Sequence, residues 1–297
     1  MTKRRGNNTV KPSKIREYYL LTKPGIIRGN AITAIAGFLL AAKGQFDLGL
    51  FVAMLVGISL VIASGCVFNN YHDREIDQKM NRTKQRGLVT GVVSPASALV
   101  YGSILGVLGL LVLALLANIL TAAIALTGFI FYVLVYTPAK PRSVHATLLG
   151  SVAGAVPPVV GYCAVTGRLD VAAVILFVVL VFWQMPHFYA IAMYRYYDYF
   201  GAGLPVLPVK KGMRYTKITI IAYIMGFFVA CSLLFAFRYA GYIYLLVMLV
   251  TCAAWFLSVM QGFRTKEDAI WGKQAFRMSL IVLLVFSVMI SVNHFLF

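Results

Sequence analysis

Acidic residues are scarce in this chain of 297 residues: nine Asp and Glu stand against 27 Lys and Arg. Charge of either sign is scarce too, at 12% of residues, against roughly 25% in a soluble domain. That excludes a soluble globular fold and a disordered, self-solvating chain. Cysteine is limited to Cys66, Cys163, Cys231 and Cys252, with no CxxC or Cys/His pattern. A disulfide-stapled secreted domain is therefore excluded, and each thiol reads as a small buried hydrophobe in or beside an apolar run. Alternation of apolar and polar residues is missing as well, which argues against an outer-membrane barrel. What the chain has is apolar length. Of its residues 61% are apolar, enough for about nine spans of 20 residues. The expected fold class is all-α: a polytopic membrane protein of about nine transmembrane helices.

The apolar runs between charge clusters fall at 24–42, 48–69, 96–116, 119–137, 145–164, 171–191, 217–237, 241–261 and 277–296. Asn118, with no charge near it, marks a tight turn between the third and fourth. Alternate loops divide the basic residues unequally. The N-terminal segment to Arg28 and loops 2–3, 4–5, 6–7 and 8–9 hold 24 Lys and Arg, while the opposite side holds only Lys43, Arg168 and Arg238. By the positive-inside rule the basic side is cytoplasmic. The N-terminus is then cytoplasmic and, with nine spans, the C-terminus is outside. A net charge of +18 would suggest nucleic acid in a soluble protein. Here the loop asymmetry accounts for it, and the implied partner is membrane lipid, with no nucleic acid. Residues 1–20 are basic and polar and lack the apolar core of a secretory signal. They read as a cytoplasmic tail, and 21–297 as the transmembrane domain.

Carboxylates are more informative, because topology needs none. Three of the nine, Asp73, Glu75 and Asp77, fall within five positions after the second apolar run. The stretch from Asn69 to Arg86, NNYHDREIDQKMNRTKQR, contains no Pro or Gly, so the helix can run on past the apolar region. Asn69, Asp73 and Asp77 are spaced by four and share one helical face, while Glu75 points elsewhere. Two carboxylates stacked one turn apart repel each other unless a cation joins them. Mg²⁺ suits such a site, since it takes a few carboxylate oxygens and fills its other positions with water and phosphate oxygens. Arg82, Lys84 and Arg86 follow and can neutralise a phosphate. A helix end dressed with ion pairs, Asp77 to Lys84 for example, would explain the same residues without a metal. Yet carboxylates at a membrane boundary are expensive and tend to be functional.

The pattern Asn69-x-x-x-Asp73-x-x-x-Asp77 resembles the first aspartate-rich motif of the UbiA-type intramembrane prenyltransferases. That resemblance implies Mg²⁺ and the diphosphate of an isoprenoid donor at these residues. Tyr136-x-x-x-Lys140 in loop 4–5 resembles a second motif, whose lysine contacts the diphosphate, with Arg142 as its helper. A topology charge beside an interfacial tyrosine would give the same pair. Loop 6–7 of the superfamily usually carries a second DxxxD. Here Asp198 is followed by Ala202, which leaves one carboxylate on this side and the choice between one metal ion and two open. The segment Asp198-Tyr-Phe-x-Ala-Gly-x-Pro-Val-Leu-Pro-Val is similar to the haem-farnesylating branch of the superfamily. So are Trp183-Gln-Met-Pro-His187, Thr22-Lys-Pro-Gly25 and Ser64-Gly-Cys-Val-Phe-Asn-Asn70. This likeness covers about residues 20–292.

The resemblance implies nine helices around a central cavity in a bacterial cytoplasmic (inner) membrane, capped by cytoplasmic loops. It implies transfer of farnesyl from farnesyl diphosphate to a vinyl group of haem B, giving haem O. A haem A synthase or a terminal oxidase is the partner expected downstream. The residues expected at the chemistry are Asn69, Asp73, Asp77, Lys140 and Asp198. Those expected on substrate are Arg82, Arg86, Tyr136, Arg142, His187 and Arg28. His187 follows Pro186 inside the sixth span, and two roles fit it: a haem-facing residue, or a packing residue bonded to a carbonyl that Pro186 frees. Arg28 can face an anion or snorkel to the interface. The run FYAIAMYRYYDYF at 188–200 can wall an isoprenyl channel or form an interfacial belt. Pro157-Pro158 should bend the fifth span. Two other functions are compatible with these features. A prenyltransferase acting on a quinone precursor or chlorophyllide would favour an intact second DxxxD. A transporter of an anionic solute would bury charge at the midplane, whereas here charge collects at one face.

Overall fold

The computed structural model describes residues 13–265 and 267–295. Among them nine helices are long and apolar enough to cross a membrane. They are Pro24–Ala42, Leu48–Asp77, Pro95–Leu116, Ile119–Ala139, Ala146–Thr166, Val171–Tyr194, Met213–Ala236, Tyr242–Phe263 and Asp268–Phe295, hereafter spans 1 to 9. The protein is an all-helical, multi-pass membrane protein. Each expected span is present, and the differences lie at the ends. Span 2 runs on to Asp77, as the missing breakers imply. Span 9 starts at Asp268, well before the apolar run at 277. Its first turns bury Trp271, Gly272 and Ala275 while Lys273 and Arg277 face outward. The charges that end a hydropathy run here decorate the outer face of an amphipathic turn.

Local chemistry explains the breaks. Span 5 divides into Ala146–Gly154 and Val156–Thr166, because Pro157 and Pro158 cannot donate to the preceding turn. Asn118 caps span 4, its Oδ1 accepting from the Thr121 N–H at 2.8 Å. Its Nδ2 donates to the carbonyls of Cys163 and Ala164, which ties that turn to span 5.

Lipid offers helices no hydrophobic gain on meeting, so close backbone packing has to hold them together. Spans 1 and 5 cross in contact: a Cβ on Gly37 would lie 2.0 Å from the Pro158 carbonyl oxygen, and one on Gly161 would lie 1.9 Å from that of Ala34. Span 6 packs against spans 7 and 9 and buries Leu176, Leu180, Met185 and Met193. Outward faces are apolar, as with Val100, Ile104, Leu108, Leu111 and Leu115 of span 3.

The segment read as a tail departs from a purely solvated one. Residues 1–12 lie outside the described residues, but Lys14–Leu21 is a helix with Glu17 and Leu21 buried. Leu21 packs with Val67, Leu88 and Val93, and Tyr18 meets Tyr101 edge-on at 5.2 Å. This helix lies against loop 2–3, at the end of the bundle where the acidic motif sits.

Candidate active site

Span 2 carries Asn69, Asp73 and Asp77 on one face, each 3% exposed. Each meets a cation from a different segment. The Lys140 ammonium donates to Asp73 Oδ2 at 2.7 Å. Arg86 Nη1 donates to Asp77 Oδ2 at 2.6 Å. Lys23 Nζ donates to Asn69 Oδ1 at 2.5 Å. Two carboxylates therefore face three cations, and the cluster carries one surplus positive charge. Exposed ion pairs contribute about 0–1 kcal/mol. These carboxylates are 4% exposed, so removing one partner strands a poorly solvated charge.

The surrounding bonds fix the cluster. Arg86 Nη1 also donates to Asn70 Oδ1 at 2.8 Å, and Asn70 Nδ2 donates to the Leu21 carbonyl, so the N-terminal helix and loop 2–3 are fastened together. On span 4, residues Phe131–Tyr136 form a π-turn, a wide turn that is frequent at functional sites. Thr137 donates its hydroxyl proton to the Tyr132 carbonyl at 2.8 Å and accepts from Asn69 Nδ2 at 3.1 Å. That chain of donors fixes the Asn69 amide with its oxygen toward the cations. Tyr132 and Tyr136 stack at 5.5 Å, and the next turn delivers Lys140.

The Lys23 pKa is brought down to about 8, chiefly by burial; the like charges of Arg86 and Lys140 add to the lowering, while Cys66 and Asp73 oppose it. Burial pulls Lys140 the same way, but Tyr136 and Asp73 outweigh it and its pKa rises. Both ammonium groups stay cationic at neutral pH.

Oxygen donors on one face, a carboxamide and two carboxylates, are the set that Mg²⁺ takes. Among the described residues no three acidic, histidine or cysteine side chains stand together. A bound ion would thus rest on two carboxylates and an amide, with positions left for phosphate and water.

The other expected residues divide. Asp198 lies on the short helix Tyr196–Gly201, 3.8 Å from Arg195, and does not group with Asp73 and Asp77. Arg82 is exposed at a cleft of about 270 Å³ that Glu17, Asn70, Gln85 and Arg86 also line. Lys84 turns to Asn81 at 2.9 Å, so Arg86, not Lys84, is the partner of Asp77. Arg28 and Arg142 are exposed.

His187 is bonded to a hydroxyl, not to a carbonyl freed by Pro186. Its Nδ1 lies 2.8 Å from Ser279 Oγ, and that hydroxyl donates to the Phe276 carbonyl at 2.7 Å. A hydroxyl has one proton, so His187 donates from Nδ1 and its Nε2 keeps a lone pair. Trp183 stacks on the imidazole at 4.7 Å and donates Nε1–H to the Ser279 carbonyl. Seven residues before the end of span 6, His187 stands about 10 Å inside it.

Sequence reasoning missed Lys23, Asn70 and Thr137. A count of loop charges treats Lys23 as a topology charge, although it stands in the Thr22-Lys-Pro-Gly25 motif. Asn70 and Thr137 each adjoin a motif residue, yet spacing alone does not reveal their bonds.

Comparison with known proteins identifies the family. The profile of the UbiA prenyltransferase family matches residues 30–281. The chain is 50% identical over 276 residues to a protoheme IX farnesyltransferase of Protochlamydia amoebophila, covering 93% of this chain and 98% of that one. It is 50% identical over 280 residues to the protoheme IX farnesyltransferase of Edwardsiella ictaluri, covering 94% and 95%. Among solved structures, a digeranylgeranylglyceryl phosphate synthase superposes with a TM-score of 0.79 at 18% identity, over 96% of this chain and 99% of that one. A UbiA homolog from Archaeoglobus fulgidus bound to DMAPP and Mg²⁺ superposes with a TM-score of 0.69 at 18% identity, over 93% and 99%. The chain belongs to the UbiA prenyltransferase family.

Proposed function

We propose that this protein transfers farnesyl from farnesyl diphosphate to a vinyl group of haem B and so forms haem O. The identity of half the chain with protoheme IX farnesyltransferases over nearly its full length supports the acceptor. The observation that carries the site is the buried oxygen face of Asn69, Asp73 and Asp77 with its three cations. The substrates suit a membrane site, since both are largely apolar and the donor ends in a trianion that matches a positive cluster.

Mg²⁺ held by Asp73, Asp77 and Asn69 would neutralise the diphosphate and make it a better leaving group. Lys140 and Arg86 take up the charge that develops on its oxygens, and Arg82 and Arg142 attract it from the exposed rim. Asp73 holds the Lys140 ammonium at 2.7 Å, and Tyr136, one turn earlier, is assigned to the substrate beside it. The allylic C–O bond breaks and the diphosphate leaves with the electron pair. The haem vinyl supplies its π electrons to the farnesyl carbon. Water then captures the cation on the porphyrin side chain and loses a proton, which leaves the hydroxyethylfarnesyl group. No protein nucleophile is needed.

His187 is assigned to the haem. A ring nitrogen with a lone pair, oriented through the other nitrogen by a hydrogen bond, is the usual form of a metal-ligating imidazole. Arg28, exposed near the start of span 1, is assigned to a propionate at the interface. Asp198 is assigned to the substrate-facing side of loop 6–7 and holds Arg195. Residues 1–20 form a cytoplasmic segment ahead of the transmembrane domain at 21–297. The charge asymmetry supports an inner-membrane protein with the N-terminus and site loops in the cytoplasm and the C-terminus outside. The product passes to a haem A synthase or a terminal oxidase.

The test offers two acceptors to the purified protein with farnesyl diphosphate and Mg²⁺: haem B, and an electron-rich aromatic acid of the quinone-precursor type. Farnesylation of haem alone is expected. Farnesylation of the aromatic acid, with haem untouched, would overturn the assignment.

A further inference from the structure

We propose that Lys23 is a third diphosphate-binding cation, exchanged between Asn69 and the diphosphate when the metal arrives. The inference rests on the metal and diphosphate reading above.

Lys23 adopts φ 51°, ψ 68°, the left-handed region that is sterically unfavourable for an L-residue. The next residue is Pro24, which favours an extended residue before it. Glycine or asparagine would fill such a position more easily. Strain of this kind persists where the surroundings demand it. The turn sends the lysine side chain inward to the Asn69 oxygen at 2.5 Å. Its carbonyl meanwhile starts span 1, accepting from the Ile26 N–H at 2.8 Å.

The position is electrostatically costly. Arg86 and Lys140 act on Lys23 as like charges, and their own carboxylates are already engaged. A neutral carboxamide gives a half-buried ammonium poor compensation. The arrangement is favoured only if an anion joins it. Asn69 is also one of the three oxygen donors that suit the metal, so Lys23 and a divalent ion compete for the same Oδ1. Once the ion takes that oxygen, the released ammonium has the diphosphate as its partner. Metal and diphosphate should therefore bind cooperatively, because each supplies what the other displaces.

The test measures Mn²⁺ binding to the full-length protein in detergent by electron paramagnetic resonance, with and without inorganic pyrophosphate. Lys23→Met removes the charge. Lys23→Asn removes it while tolerating the left-handed turn. Relative to the unsubstituted protein, both variants should bind Mn²⁺ alone about tenfold more tightly, because a like charge has left the site. Both should bind pyrophosphate in the presence of Mn²⁺ about tenfold more weakly. Lys23→Arg should restore both values to within about threefold. A residue that only shaped the turn would shift both affinities in the same direction or neither, and either result overturns the proposal. Asp73→Asn separates the two ideas: if it leaves Mn²⁺ binding unchanged, the metal reading itself fails, whereas lost binding there with no response to Lys23 variants sinks only the Lys23 exchange.

Discussion

The pair of Asp73 and Lys140 lets stability and chemistry be separated. Asp73→Asn keeps the shape of the side chain and removes its charge. Its partner lies at 2.7 Å, and the two side chains are 4% and 21% exposed. Breaking a fully buried pair costs about 3–5 kcal/mol. The partial exposure of Lys140 lets water take up some of the stranded charge, so a cost of about 2 kcal/mol is expected. That lowers the folded-to-unfolded ratio about thirtyfold. Asp73→Asn/Lys140→Met removes the stranded charge as well and should recover most of that loss. Turnover behaves differently. Losing a carboxylate from the metal site should cut it by about 10³ or more, and the double variant should be no better. Denaturant titration in detergent micelles would report the first quantity, and haem O formation the second. Recovery of turnover in the double variant would refute the metal role of Asp73. A double variant as unstable as the single one would refute the buried-pair argument.

Three further outcomes are expected. Chelation of divalent ions should abolish turnover and added Mg²⁺ restore it, while thermal unfolding in detergent stays within a few degrees, because the ion pairs already satisfy the carboxylates. His187→Ala should weaken haem binding, read from the Soret band, by about tenfold, and leave pyrophosphate affinity unchanged; an unaltered Soret titration would return His187 to a packing role. Gly154→Ala would set a Cβ 2.1 Å from Gln184 Oε1, whose amide is held on the Ser151 and Leu180 carbonyls. The clash should cost about 1–3 kcal/mol, visible as a lower midpoint in a denaturant titration.

Much of this molecule is legible in its sequence, for physical reasons. Lipid forces continuous apolar runs, so the nine spans can be read directly. The Asn69, Asp73, Asp77 spacing follows from helical geometry, and the missing breakers carry the helix to Asp77. The bend at Pro157 and the turn at Asn118 are equally local. Other features depend on contacts remote in sequence. Lys23 meets Asn69 only because spans 1 and 2 are neighbours and a strained turn redirects one side chain. The start of span 9 is hidden because Lys273 and Arg277 face outward and lower the local hydropathy. The π-turn before Thr137 leaves no compositional mark beyond Pro138. The choice of Arg86 over Lys84 for Asp77 depends on how loop 2–3 folds back, which spacing does not determine.

The central claim is that the Asp73 cluster ionises farnesyl diphosphate with a divalent ion and that water finishes the haem product. One measurement addresses it: mass spectrometry of the haem recovered after incubating purified protein with haem B, farnesyl diphosphate and Mg²⁺ in ¹⁸O-labelled water. The account predicts a farnesyl adduct carrying one ¹⁸O atom, absent with Asp73→Asn and absent when the divalent ion is chelated. An adduct that forms undiminished in either control, or one without the label, would contradict it.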